Sequence, residues 1–256
     1  TLHPRFGNPT PRIAETASGM LNSVGLQNPG IDAFLSNELP HLMQCGTVIL
    51  ANIAGSTPEE CAEVAAKLDK TDVHMIELNI SCPNVRQGGA AFGTSCSAAA
   101  QVTKAVRAAT KKPLCVKLSP NVTSITEIAK AVEAEGADAL SLINTLLGMR
   151  IDLRTRRPIL HNNMGGFSGP AIFPVAVRMV WQVANAVNID VVGMGGITTA
   201  EDAIEMMMAG AKAVQMGTAI FTDPYSPLKV IDGIEKYMIE NNIENLSEIT
   251  GSVKPW

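Results

Sequence analysis

From residue 47 to the C-terminus, short apolar runs alternate with helical patterns, and no other feature restricts the fold of this chain as strongly. Runs at 47–53, 74–80, 114–118, 139–144, 190–194 and 213–216 have the length and composition of strands. Each is followed by helical periodicity, at 58–68, 98–110, 123–135, 170–187, 200–209 and 226–240. The runs are nearly continuous in apolar character, the pattern of strands covered on both faces. Six successive β-α units specify a parallel sheet. Two helix starts carry their own signals. Thr57-Pro58 with Glu60 has the form of a capped first turn, and Thr199 precedes Glu201-Asp202 at the positive end of a helix dipole.

A chain of 256 residues is long enough for one α/β barrel. With aromatic residues at only 4%, its core has to be built from Val, Ile, Leu, Ala and Met. A net charge of −4 leaves no electrostatic footprint for nucleic acid. The longest apolar runs are strand-sized, too short to span a bilayer, and no signal-peptide pattern opens the chain, so the expected compartment is the cytoplasm. Cys45, Cys61, Cys82, Cys96 and Cys115 contain no C-x-x-C pair, and His3, His41, His74 and His161 are scattered. No metal site is expected from these spacings. The first 46 residues, rich in Pro, Gly and Asn with one weak helical stretch at 30–43, read as an elaborated loop region. Two further connections are long, at 81–97 and 145–169. Long loops in a compact domain are usually functional. Arg154, Arg156 and Arg157 cluster in the second, where they read as a solvated face.

The polar residues that interrupt this apolar chain gather at the C-terminal ends of the strands. Asn52 ends the first, Asn79 and Cys82 the second, Lys117 the third, Asn144-Thr145 the fourth, Gly195-Gly196 the fifth and Gly217-Thr218 the last. In a β/α barrel these ends converge on one mouth, where such folds do chemistry. Cys82 stands in Asn79-Ile80-Ser81-Cys82-Pro83-Asn84, where Pro83 ends the strand and restricts the residue before it. The residues that follow, with Gly88, Gly89 and Gly93, read as a mobile flap over the thiol. The other reading of Cys82 is a small buried hydrophobe. Lys117, inside a core strand, must find an anionic partner or lose its proton; the bland reading is a salt bridge to a neighbouring carboxylate. The two glycine-bearing ends allow close backbone approach and suit a phosphate, since loops after the last two strands are its usual seat in this fold.

Together these residues resemble the dihydroorotate dehydrogenases, and the resemblance runs over essentially the whole chain. The Asn-x-Ser-Cys-Pro-Asn element, Lys117, Ile143-Asn144-Thr145, Gly169, Gly195-Gly196 and Gly217-Thr218 occur in family order, and residues 22–30 look like the substrate-contacting loop. Cysteine at position 82 and the loop sequence 84–94 are similar to the class 1B branch, whose members use NAD through a partner subunit carrying FAD and a [2Fe–2S] cluster. The resemblance implies a (β/α)8 TIM barrel, 1–256 forming a single FMN-binding domain with about six of the eight strands present. Two family strands, one ending in an Ala-Ser flavin contact and one in a lysine, precede this point, so the chain is expected to lack the family's N-terminal portion and to leave two open edges.

The implied activity is oxidation of dihydroorotate to orotate in pyrimidine biosynthesis, with Cys82 as base for C5 and FMN accepting hydride from C6. Asn52, Asn79, Lys117, Ile143, Gly169, Gly195, Gly196, Gly217 and Thr218 would bind the cofactor. Asn22, Ser23, Val24, Gly25, Leu26, Asn79, Asn144 and Thr145 would bind the substrate. A homodimer is implied as well. Two other readings stay open: a flavin subunit like that of dihydropyrimidine dehydrogenase, and an inactive scaffold that binds a flavin or a partner.

Overall fold

The computed structural model describes residues 1–81 and 92–256. Its centre is a six-stranded parallel sheet. The strands are β3 (Leu50–Ile53), β4 (Met75–Asn79), β5 (Leu114–Lys117), β6 (Ala139–Leu142), β11 (Asp190–Met194) and β12 (Ala213–Gln215), hydrogen-bonded in that order. Every strand expected from the sequence is present, shortened by one to three residues at some ends.

The helices between them are α1 (Pro58–Asp69), α2 (Cys96–Ala109), α3 (Ile125–Ala134), α4 (Phe173–Ala184), α5 (Ala200–Met208) and α6 (Ser226–Glu240). The segment before α4 is a separate turn of 3-10 helix, Pro170–Ile172, where a continuous helix was expected. Each helix packs against the next in chain order. Strand order without reversal and helices in one continuous layer follow from right-handed crossovers that all return to the same face. The sheet therefore curls into a half-barrel with α1–α6 outside, and has none of the order reversal of a doubly wound sheet. Among the described residues β3 and β12 each pair with a single neighbour.

Period-two alternation separates the two faces of this sheet. Ile76, Leu78, Leu114, Val116, Leu140 and Leu142 are fully buried in the apolar cluster shared with the helices, which also takes Val64 and Leu68 of α1, Val102 and Val106 of α2 and Met206 of α5. The opposite face carries Asn52, Glu77, Asn79, Cys115, Lys117, Ser141 and Gln215. Strands apolar on both faces were the expectation; the inner face is polar instead. The caps form as read: Thr57 accepts from the Glu60 amide, and Thr199 and Asp202 close a reciprocal capping box.

The larger difference lies outside the half-barrel. The first 46 residues and the 145–169 connection, both read as loops, together make a four-stranded antiparallel sheet in the order β1 (Ile13–Thr16), β2 (Gly19–Asn22), β10 (Gly165–Ser168) and β7 (Leu146–Gly148). A small hairpin of β8 (Ile151–Asp152) and β9 (Arg157–Pro158) projects from it and carries the exposed arginines. The stretch read as weakly helical at 30–43 is a run of short helical segments. No helix among the described residues is long and apolar enough to cross a membrane.

Candidate active site

At the C-terminal ends of the parallel strands lies a cavity of about 430 Å³. The half-barrel contributes Lys117, Ile143, Asn144 and Thr145, then Met194 to Thr198, then Gln215 to Ala219; the antiparallel sheet and its flanks contribute Ile13, Met20, Asn22, Val24, Ser168 and Gly169. The small sheet thus completes the mouth. Its register sets Gly166 opposite Asn22, and a side chain at 166 would collide with Thr145, so glycine is required for the two walls to meet.

A chain of hydrogen bonds fixes the polar wall. Ser81 Oγ donates to Asn79 Oδ1 (2.9 Å), Asn144 Nδ2 donates to Ser81 Oγ (2.7 Å), and the Thr145 amide donates to Asn144 Oδ1 (2.8 Å). Asn121 ties the next residues in place, donating to the Thr145 carbonyl and accepting from the Leu147 amide. On the opposite wall Thr218 Oγ1 donates to Ser168 Oγ (2.8 Å), joining the last strand end to β10.

Lys117 is half-buried on this lining, and among the described residues no carboxylate forms an ion pair with its ammonium. The salt-bridge reading is therefore not what the described residues contain; the charge faces the cavity. Gly196 has φ +82°, and a Cβ there would lie 2.9 Å from the Gly169 carbonyl oxygen. A Cβ on Gly217 would meet nothing within 4 Å, so this end opens onto free space. Backbone amides bared by two glycine ends and an ammonium without an ion-pair partner among the described residues make a donor set suited to an anionic group.

Below the mouth the inner face holds a second polar layer. Glu77 accepts from Asn52 on β3, from Ser141 Oγ on β6 (2.7 Å) and from Gln215 Nε2 on β12 (3.1 Å). Cys115 lies beside Glu77 in register, and burial, reinforced by that negative charge, pushes its thiol up to about 12. Burial, with Glu60 adding to it, pushes Cys61 up to about 12 as well. Both stay protonated near neutrality, which leaves neither as a nucleophile.

Of the residues singled out from sequence, Lys117, Ile143, Asn144, Thr145, Gly169, Gly195, Gly196, Gly217, Thr218, Asn22 and Val24 line the cavity together. Asn79 stands behind it, reaching Asn144 through Ser81. Ser23 is fully buried, and Gly25 makes a turn at φ +81°. Leu26 and Asn52 line a separate cavity of about 290 Å³ beside Thr1 and Phe34. Cys82 and the remainder of 82–91 lie outside the described residues. Ser81 stood in the strand-end motif without a binding role, and it joins Asn79 to Asn144; Ser168, Glu77, Ser141 and Gln215 were missed. A signal for the last three existed: each stands two residues before a strand-end residue already singled out (Asn79, Ile143, Gly217), and period two puts such pairs on one face. Among the described residues no group of three His, Cys, Asp or Glu is placed to hold a metal ion.

The family model for dihydroorotate dehydrogenase matches residues 1–238. A protein of Alkaliphilus metalliredigens named dihydroorotate dehydrogenase B (NAD(+)), catalytic subunit, is 59% identical over 250 residues, covering 98% of this chain and 83% of the relative. Proteins of the same name from Halalkalibacterium halodurans and Desulforamulus reducens are 57% and 55% identical, each again covering 98% of this chain and 83% of the relative.

Proposed function

The chain belongs to the dihydroorotate dehydrogenase family, and from that membership we infer that it is the catalytic subunit of an NAD-linked enzyme that oxidises dihydroorotate to orotate in pyrimidine biosynthesis. The observation that carries this reading is the single cavity where Lys117, Asn144-Thr145 and both glycine-bearing strand ends meet. The full-length similarity does not favour a dihydropyrimidine dehydrogenase-like subunit or an inert scaffold.

FMN is the cofactor proposed for this cavity. The free space at Gly217 and the ammonium of Lys117, which has no ion-pair partner among the described residues, fit a flat ring system with one terminal phosphate. Gly169, Gly195, Gly196, Gly217 and Thr218 would hold the phosphate end and Lys117 and Ile143 the ring, with Asn79 behind them; Asn52, expected on the cofactor, lines the neighbouring cavity instead. When bound, FMN supplies the acceptor for the hydride that leaves C6 of dihydroorotate. The chain's own residues do the rest. Cys82 Sγ takes the proton from C5, so that the C5–C6 double bond forms as proton and hydride depart. Asn22, Asn144 and Thr145, with Ser23, Val24, Gly25 and Leu26 shaping the loop and Asn79 behind, orient the pyrimidine by hydrogen bonds to its ring amides, which fixes its reacting carbons. Lys117 adds positive charge where negative charge develops.

The wider setting is part of the same proposal. The half-barrel belongs to a closed eight-stranded barrel, residues 1–256 act as one FMN-binding unit, the subunit forms a homodimer in the cytoplasm, and its electrons reach NAD through a second subunit carrying FAD and a [2Fe–2S] cluster. Mass spectrometry of the cofactor released from the purified subunit, together with anaerobic titration by dihydroorotate, tests the core of this reading. FMN bleached by dihydroorotate is the expected result; FAD, or a flavin that dihydroorotate leaves oxidised, would overturn it.

A further inference from the structure

The hydrogen bonds of the polar wall run in one direction, and the side chain at their centre has no part in the reaction above. Ser81 lies two residues past the end of β4 with 1% of its surface exposed. Its own backbone amide donates to Asn79 Oδ1 (3.1 Å), and the Thr145 amide donates to Asn144 Oδ1 (2.8 Å). A backbone N–H can only donate, so these two bonds settle which end of each carboxamide is oxygen. Asn144 is left to turn its nitrogen towards Ser81, and a carboxamide nitrogen donates without accepting. Ser81 Oγ therefore accepts from Asn144 Nδ2 (2.7 Å) and gives its single hydrogen to Asn79 Oδ1 (2.9 Å). A hydroxyl, donor and acceptor at one atom, is what joins the nitrogen end of one carboxamide to the oxygen end of another.

The Asn144 nitrogen carries two hydrogens. Ser81 takes one, the other has no acceptor among the described residues, and Asn144 lines the cavity. We propose that Ser81 is a positioning residue for the substrate: by accepting from Asn144 it holds that carboxamide with its second N–H kept for the cavity, where it selects an oxygen acceptor on the pyrimidine. The inference rests on the reading of Asn144 as a substrate contact. In Ser81→Ala the carboxamide is held only by its bond from the Thr145 amide, so it can swing about that contact, and fixing it again when the substrate binds costs rotamer freedom. Asn79 still receives the backbone amide of residue 81 in that variant, so the flavin side of the wall keeps its support.

A double-mutant cycle separates positioning from a general structural role, because a residue that acts only through Asn144 has nothing left to act on once that carboxamide is gone. Calorimetric titration of the flavin-loaded, full-length subunit with orotate gives dissociation constants for the parent, Ser81→Ala, Asn144→Ala and Ser81→Ala/Asn144→Ala; fluorescence quenching gives those for FMN. Asn144→Ala is expected to weaken orotate about tenfold, the worth of one hydrogen bond, and Ser81→Ala about fivefold. The double variant is expected to stay within about twofold of Asn144→Ala, where independent losses would multiply to about fiftyfold. FMN is expected to bind all four proteins within about twofold of the parent.

Orotate bound to Ser81→Ala as tightly as to the parent overturns the proposal, and so does a double variant in which the two losses multiply. Loss of FMN or of the fold in Ser81→Ala overturns it as well, since that assigns the hydroxyl to structure. A parent that binds no orotate, or an Asn144→Ala variant that binds it as tightly as the parent, would instead refute the reading of Asn144 as a substrate contact, and this inference with it.

Discussion

A thiol removes a proton only as its thiolate, so the proposed role of Cys82 ties turnover to pH. With an ordinary thiol value near ~8.5, the basic form is scarce at neutral pH and oxidation should quicken towards alkaline conditions. Cys82→Ala is expected to keep its flavin, visible in the absorbance spectrum, while dihydroorotate oxidation falls roughly 10²- to 10⁴-fold, the usual worth of a positioned base. Near-normal turnover would remove Cys82 from the mechanism. The two glycine ends allow a separate check on the cofactor. Substitution at Gly196 mixes causes, because φ +82° and the adjacent Gly169 carbonyl strain any side chain there. Gly217 is the cleaner position, since a Cβ there meets open space. Gly217→Asp should leave the flavin-free protein folded, with an unchanged melting temperature, and weaken FMN on the order of a hundredfold by setting a negative charge beside its phosphate. Full retention of FMN would move the phosphate to another part of the cavity. Lys117 and these glycines were legible in the sequence because each breaks an apolar run. Glu77, Ser141 and Gln215 were passed over although they share a face with Asn79, Ile143 and Gly217, because a polar residue between apolar neighbours reads as part of a buried strand until its inward face is known to be polar.

Elements of the half-barrel were legible almost to the residue, and the reason is local: strand runs, helix periodicity and caps are all written within a dozen neighbouring positions. The start of α5 is an example with a measurable consequence. Asp202 is partly buried, which by itself would raise its pKa, but hydrogen bonds from the amides and hydroxyls of Thr198 and Thr199 outweigh that and lower it from the ordinary 3.8. A carboxyl group depressed in the folded state stabilises the fold above its unfolded value and loses that contribution as pH falls through the folded one. Asp202→Asn should therefore cost about 1 kcal/mol at neutral pH, the worth of a cap, with the difference from the parent closing in acid. Chemical denaturation at the two pH values measures both, and a gap that persists in acid would assign the loss to packing instead. The antiparallel sheet was illegible for the opposite reason. Its strands are three or four residues long, three of the four contain Gly, and β2 finds its partner β10 more than a hundred residues away, so no local window holds the signal.

At the scale of the whole molecule, the winding of one sheet in strict chain order sets six strand ends along one edge, and the ends of β5, β6, β11 and β12 line the mouth. On the proposed function the mouth serves half of a redox reaction. Oxidising dihydroorotate releases two electrons, which have to leave the cofactor before the next turnover, and the relatives' name couples a catalytic subunit with NAD(+). The proposed site takes a single flavin, and the cysteines of this chain include no C-x-x-C pair of the kind that suits a cluster. NAD reduction is therefore assigned to the partner subunit. The purified catalytic subunit should reduce an artificial dye with dihydroorotate as donor, since a small acceptor can reach the cavity directly, and should leave NAD essentially unreduced on the same timescale. Adding the electron-transfer subunit, proposed to carry FAD and a cluster, should start NAD reduction without changing the dye rate by more than about an order of magnitude, because the proposed chemistry at C5 and C6 stays in this chain. Stopped-flow absorbance under anaerobic conditions follows both acceptors at once. Rapid NAD reduction by this chain alone, with no second polypeptide on a gel, would place both half-reactions at the one mouth and refute the division between subunits.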